Sequence, residues 1–160
     1  MNAADKVMEL GDLIDRLAPL RKAGGTVALA NGLFDILHVG HLRYLEGARL
    51  EADILVVAIN SDASARRLKG PSRPVVPERE RAELVAGFSC VDHALLFTED
   101  NVERVLRELR PDVHCKGTDY TDETVPEREV ALSLGIRIAI VGDPKRHATR
   151  DLIRQIRDED

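Results

Sequence analysis

Residues 26–41 read TVALANGLFDILHVGH, and the fold turns on how this stretch is parsed. Its first part, TVALA (26–30), is apolar without the polar alternation of a half-exposed strand, which predicts a strand covered on both faces. From about Val39 the pattern changes, and Leu42, Leu45 and Ala48 recur at helical spacing. A strand that gives way to a helix within ten residues opens a β-α repeat. Working outward, four more apolar runs follow: DILVVAI (53–59), HALLF (93–97), DVHC (112–115) and RIAIV (137–141).

Helical periodicity fills the gaps. It is carried by Leu84, Val85 and Phe88, by Val102, Val105, Leu106 and Leu109, and by Val130, Ala131 and Leu134. Thr124-x-x-Glu127 has the form of a capping box, Gly135 falls where a helix should stop, and Thr149 to Arg157 predicts a closing helix that opens on an N-cap residue. The stretch LKGPSRPVVPERE (68–80) has three prolines and predicts a surface loop leading into a helix at about Pro77. Upstream, Val7, Leu10, Leu13, Ile14, Leu17 and Leu20 predict an amphipathic helix over about 5–22, ended near Gly24-Gly25. The expected organisation is one domain: an N-terminal helix (1–25) packed on a body (26–160). The fold class is α/β, a doubly wound parallel sheet of five strands with helices on both faces.

The chain has 160 residues, enough to bury one sizeable core, and its 44% hydrophobic and 32% charged content is that of a globular protein. Aromatics make up only 3%, so the core must be aliphatic. A net charge of −5 argues against nucleic acid or an anionic membrane as partner. Cys90 and Cys115 lack metal or redox spacing and read as buried free thiols. The charged N-terminus has no signal-peptide core, and no apolar run approaches the roughly 20 residues of a membrane span, so a cytoplasmic location is expected.

Sheets of this kind bind ligands beyond the carboxyl ends of their strands, where strand order reverses. Asn31 to His41 lies at such a position. The familiar phosphate loops and the nucleophile elbow are absent from the sequence. What remains is a helix N-terminus near Val39, a glycine, Gly40, that admits close approach, and two imidazoles, His38 and His41, one turn apart. Together they form a cradle for phosphate oxygens. Two other readings stay open at this point: a loop histidine beside a satisfied helix histidine, and a metal site from Asp35, His38 and His41 at i, i+3 and i+6.

The run NGLFDILHVGHLRYLEGAR resembles the signature of the nucleotidylyltransferase superfamily, in which H-x-G-H follows the first strand of a Rossmann-like sheet. The flanking N-G-x-F-D-x-L-H makes the likeness specific. Further matching segments extend it over 26 to about 156: NSDASARRLKGPSRPV, the helix-to-strand segment Arg81 to Asp92, LRPDVHCKGTDY and HATRDLIRQI. Within the superfamily the sequence is most similar to the adenylyltransferases that act on D-glycero-β-D-manno-heptose 1-phosphate in the route to ADP-heptose for lipopolysaccharide. The glycerol-3-phosphate cytidylyltransferases are the nearest other group.

The resemblance implies that a sugar phosphate attacks the α-phosphorus of ATP, with Mg²⁺ shared among phosphate oxygens and no protein-held metal. It implies His38, His41 and Lys69 as catalytic residues. Asn31, Gly32, Phe34, Asp35, Gly40, Arg81, Lys116, Asp119, Thr149 and Arg150 are placed by the nucleotide. Asp35, Asn60, Asp62 and Tyr120 are placed by the acceptor. On residue type alone, Lys69 reads equally as a solvated lysine, Arg81 as a charge on the exposed face of ERERAE, and Thr149 as a plain N-cap. Two positions depart from the family pattern: Ala148-Thr149-Arg150 stands where relatives usually carry Ser-Thr-Thr, and Thr118 where many have a second glycine.

Three functions are therefore carried forward: a sugar-phosphate adenylyltransferase, a CTP-dependent cytidylyltransferase for a polyol phosphate such as glycerol 3-phosphate, and a nucleotide-binding module without turnover. Retention of both histidines speaks against the last. The partners expected are a nucleoside triphosphate and a sugar phosphate, with a homodimer possible. Some relatives carry a fused sugar kinase; 160 residues leave no room for one, so a separate kinase is expected to supply the acceptor.

Overall fold

The computed structural model describes residues 1–144 and 148–159; His147, the first residue of the last matching segment, lies outside them. Five strands form one parallel sheet: β1 (Val27–Gly32), β2 (Ile54–Asn60), β3 (His93–Phe97), β4 (Val113–Lys116) and β5 (Arg137–Ile140). Their order is β3-β2-β1-β4-β5, which bears out the doubly wound sheet. The chain runs outward from β1 to β3, then returns to the other side of β1, so order reverses between β1 and β4.

The alternation of side chains along β1 and β2 sorts the core into two layers. Ala28, Ala30, Leu55, Val57 and Ile59 face one side, where Leu45 and Ala48 of α2 (Val39–Arg49) and Ala82, Val85 and Ala86 of α4 (Glu78–Ala86) cover them. Val27, Leu29, Val56 and Ala58 face the other, under Leu10, Leu13 and Leu17 of α1 (Leu10–Lys22) and Val105, Leu106 and Leu109 of α5 (Glu103–Leu109). Burying each of the valine, leucine and isoleucine side chains among these contributes about 1.5–3 kcal/mol. The first helix thus supplies one wall of the core.

Several elements differ from the sequence expectation. The N-terminal helix begins at Leu10 and not near residue 5. Val7 forms a parallel bridge with Ala94, the Met8 N–H donates to the Ala94 carbonyl at 2.9 Å, and Glu9 turns extended to start the helix. This segment covers the exposed edge that β3 would otherwise present. An additional helix, α3 (Asp62–Lys69), follows β2 and was not expected because its sequence, DASARRLK, has almost no apolar face. The signal was the N-cap: the Ser64 N–H donates to Ser61 Oγ at 3.2 Å.

The capping box at Thr124 and Glu127 does not form. Thr124 Oγ1 accepts instead from the Thr121 N–H at 2.8 Å, which closes a local turn, and α6 starts late, at Arg128, ending at Ser133. The last helix, α7 (Thr149–Asp158), has Ala148 as its N-cap, and Thr149 is its first residue. Cys115 is buried and Cys90 half-buried, both free thiols. Among the described residues no helix is long and apolar enough to cross a membrane.

Candidate active site at the carboxyl edge of β1 and β4

The ladder between β1 and β4 ends at the Ala30–Cys115 pair. The phenol of Tyr44, from α2, takes the place of a further rung. Its hydroxyl donates to the Cys115 carbonyl at 2.7 Å and accepts from the Asn31 N–H at 3.4 Å. The two strands consequently part at the point where strand order reverses. Burial pushes the pKa of this phenol far above its ordinary range, so it stays a neutral donor.

His38 and His41 stand at the start of α2, fixed by the backbone of their own helix. The Gly40 N–H donates to His38 Nδ1 at 3.1 Å and the His38 N–H donates to His41 Nδ1 at 3.2 Å, a reciprocal capping box built from two imidazoles. An Nδ1 that accepts carries no proton, so each ring is the neutral tautomer with its proton on Nε2. The rings lie 4.0 Å apart, centroid to centroid, as two neutral rings can and two imidazolium ions cannot do cheaply. Both rings thus carry their proton on Nε2 beside a helix N-terminus.

The surrounding residues hold that geometry. A Cβ on Gly40 would come within 2.9 Å of the His38 ring. Phe34 adopts a left-handed conformation, φ 51°, which turns its ring inward, where it packs 5.4 Å from His41 and stacks on Tyr44 at 6.4 Å. Gly32 leaves room for that ring, since a Cβ there would sit 3.1 Å from it.

Other residues placed by the resemblance are engaged within the protein. Asp35 is 2% exposed, and its carboxylate accepts from Arg73 Nε at 2.7 Å, from the Val75 N–H at 3.0 Å and from the Val76 N–H at 2.9 Å. It anchors the proline loop beside the histidines, and its oxygens are not available for a metal shared with His38 and His41. Arg81 is fully buried, not on a solvated face: Nε donates to the Val76 carbonyl at 2.8 Å, one terminal nitrogen to the Leu33 carbonyl at 2.6 Å and the other to Asp62 Oδ1 at 2.9 Å. Asn60 is buried with its amide on Ser64 Oγ, and Asn31 Oδ1 meets the buried His114 Nε2 at 2.9 Å. Burial depresses the His114 pKa to about 3, so that ring too is neutral. Arg81 is therefore not the exposed charge that residue type alone suggested.

The Asp35 clamp has a pH signature. Burial alone raises its pKa, but the N–H groups of Val76 and Val75 and the Arg73 guanidinium outweigh it, so the carboxyl titrates below its ordinary 3.8. A depressed pKa contributes stability that is present above the ordinary value and lost as pH falls through the folded one. Asp35→Asn is expected to be less stable than wild type by about 1–3 kcal/mol at pH 7, the gap closing below about pH 4. Urea midpoints at pH 7 and pH 3 check it; a gap independent of pH would show that the charge is not what holds the loop.

Lys116 ends β4, is 8% exposed and lies 4.7 Å from the centroid of the Tyr120 ring. Burial lowers its pKa, against the charges of Glu127 and Asp119. Asp119 is exposed in the following turn. Thr149 Oγ1 donates to the Ile36 carbonyl at 3.0 Å, which tethers the start of α7 to the β1–α2 loop, with Arg150 exposed next to it. Lys69 is exposed at the end of α3. Sequence reasoning missed Tyr44, Arg73 and His114, because a tyrosine in an amphipathic helix, an arginine in a loop and a histidine in a strand carry no pattern that says where they point.

The model of the cytidylyltransferase-like family matches residues 29–151. The bifunctional protein HldE of Syntrophotalea carbinolica is 46% identical over 146 residues, covering 91% of this chain and 30% of that protein. The HldE of Bradyrhizobium sp. is 43% identical over 158 residues, 98% of this chain and 32% of that one. The chain therefore spans about a third of the length of these relatives. A crystal structure of a lipopolysaccharide core biosynthesis protein from Thermoplasma volcanium superposes with a TM-score of 0.66 at 31% identity, over 76% of this chain and all of the other.

Proposed function

Because the chain belongs to the cytidylyltransferase-like family of nucleotidylyltransferases, we propose that it transfers AMP from ATP to D-glycero-β-D-manno-heptose 1-phosphate, giving ADP-heptose and pyrophosphate. The observation that carries the reading is the pair of neutral imidazoles, each pinned through Nδ1 to the backbone so that Nε2–H points away from it. A phosphate oxygen of the acceptor forms a bond to the α-phosphorus, and the bond from that phosphorus to the oxygen bridging to the β-phosphate breaks. The attacking oxygen is already anionic, so no general base is required. Charge grows on the α- and β-phosphates, and preorganised donors stabilise it.

In this reading His38 and His41 donate to the α- and β-phosphates, aided by the N-terminal N–H groups of α2. Thr149 and Arg150, at the start of α7, meet the outer phosphates. Lys116, with Asp119 and Tyr120, serves the nucleotide or acceptor from the β4 side, and Lys69 approaches from the end of α3. Among the described residues no three His, Cys, Asp or Glu side chains gather as a metal cage. Mg²⁺ carried on the triphosphate would supply charge neutralisation there. The acceptor is supported by the HldE relatives and by the lipopolysaccharide core protein.

The test is pyrophosphate release from ATP and from CTP, with Mg²⁺, against heptose 1-phosphate, hexose 1-phosphates and glycerol 3-phosphate. Release with ATP and the heptose alone is expected. Release with CTP and glycerol 3-phosphate would retain the chemistry and overturn the substrates, and silence across the panel with ATP still bound would leave a binding module.

A further inference from the structure

A strand covered on both faces favours apolar side chains throughout, yet β4 carries His114, which is completely buried. Val113 and Cys115 face the α2 and α4 side of the sheet, so His114 faces the other. Its register partners are Leu29 of β1 and Ile138 of β5. Asn31 lies two residues beyond Leu29 on the same face, near the carboxyl end of β1. Nε2 of the imidazole is 2.9 Å from Asn31 Oδ1, while Nδ1 is buried with no hydrogen-bond partner among the described residues. A buried N–H without an acceptor is rarer than a buried lone pair without a donor, so the proton sits on Nε2 and Asn31 Oδ1 accepts it. For stability alone this is a poor arrangement. A leucine of similar volume would bury no polar atom, whereas the imidazole leaves one orphaned and makes a single bond.

What that bond fixes is the amide. With Oδ1 turned back to His114, the two Nδ2–H donors of Asn31 face the other way. Nδ2 has no partner among the described residues, and the half-buried residue does not seal it from solvent. The Asn31 N–H is engaged as well, on the Tyr44 hydroxyl at 3.4 Å. Backbone and side chain are thus held from α2 and from β4, at the edge where β1 and β4 part and where sheets of this kind bind their ligands. An amide held in this way is a preorganised donor for an oxygen acceptor.

Resting on the nucleotide and sugar-phosphate reading above, we propose that His114 is a positioning residue, which orients the Asn31 amide so that Nδ2 donates to an oxygen of the bound substrates. ATP and the acceptor both offer such oxygens, and the test separates them. Calorimetry with Mg²⁺ and ATP is run on wild type, His114→Leu, Asn31→Ala and the double variant, and pyrophosphate release gives the acceptor KM. If ATP supplies the oxygen, Asn31→Ala weakens its binding roughly 10- to 100-fold and His114→Leu roughly 3- to 10-fold. The double variant is then no weaker than Asn31→Ala alone, because His114 acts only through the amide. If the acceptor supplies it, ATP binding is equal in all four proteins and the acceptor KM follows the same pattern.

His114→Leu should melt no lower than wild type, since it removes the orphaned Nδ1. His114→Gln, whose amide nitrogen can take the place of Nε2–H, should restore binding. A leucine variant with wild-type affinity for ATP and wild-type acceptor KM overturns the proposal, as does a loss that adds in full to that of Asn31→Ala. Should leucine fold poorly, His114→Met removes the same donor and carries the same expectation. A wild type that binds ATP without releasing pyrophosphate would refute the proposed reaction alone, and the ATP cycle would then decide the positioning role by itself.

Discussion

Replacing His41 by Asn is expected to lower turnover by about 10²- to 10³-fold and to leave thermal stability close to that of wild type. The two effects separate because the two ring nitrogens do different work. Nδ1 accepts from the His38 N–H at 3.2 Å and caps α2. An asparagine Oδ1 reaches from the same backbone to about the same place, so the cap survives. Nothing in asparagine replaces Nε2–H, and a donor aimed at charge that develops in the transition state is lost. Alanine should show the same fall in rate with a further loss of about 1 kcal/mol of stability, from the missing cap. Steady-state kinetics and thermal melts on the two variants check both halves, and full activity in the asparagine variant would remove His41 from the chemistry.

The largest effect on stability is expected from Arg81→Ala, about 3–5 kcal/mol, or roughly 6–20 °C in thermal midpoint. The guanidinium is completely buried and joins three parts of the chain: Leu33 ahead of the histidines, Val76 in the proline loop and Asp62 at the start of α3. Removing it leaves two carbonyls without a donor and a carboxylate without its partner. Lysine, with one nitrogen in place of a planar fork, cannot serve all three and should also destabilise. A stable Arg81→Ala protein with a raised nucleotide KM would instead return the residue to the phosphates.

Arg81 also illustrates which parts of the molecule were legible. In the run ERERAE its neighbours are charged and exposed, and nothing in residue type separates a guanidinium that faces inward from one in solvent. Asp35 and Asn60 are similar, since polar residues near a strand end serve a ligand or tie loops together, and the choice depends on partners distant in sequence. The five strands were legible because burial on both faces writes a continuous apolar run, and a run survives without tertiary information. Helix α3 was hidden because its stability comes from a cap and its neighbours more than from an apolar stripe. The N-terminal boundary failed because residues 7 and 8 bond to Ala94, a contact that local periodicity cannot register. The histidine pair was legible in position, and its tautomer was not, because that follows from two bonds to the backbone.

The tyrosine between Asn31 and Cys115 bears on how such a domain can diverge. Where a cleft is framed by loops, each insertion or deletion resets its width, and binding drifts with loop length. Here the spacing is gauged by a rigid ring of fixed length standing on α2 and braced against two strands. Loops around it can therefore lengthen, shorten or change their residues, while the separation between the ends of β1 and β4 is inherited unchanged.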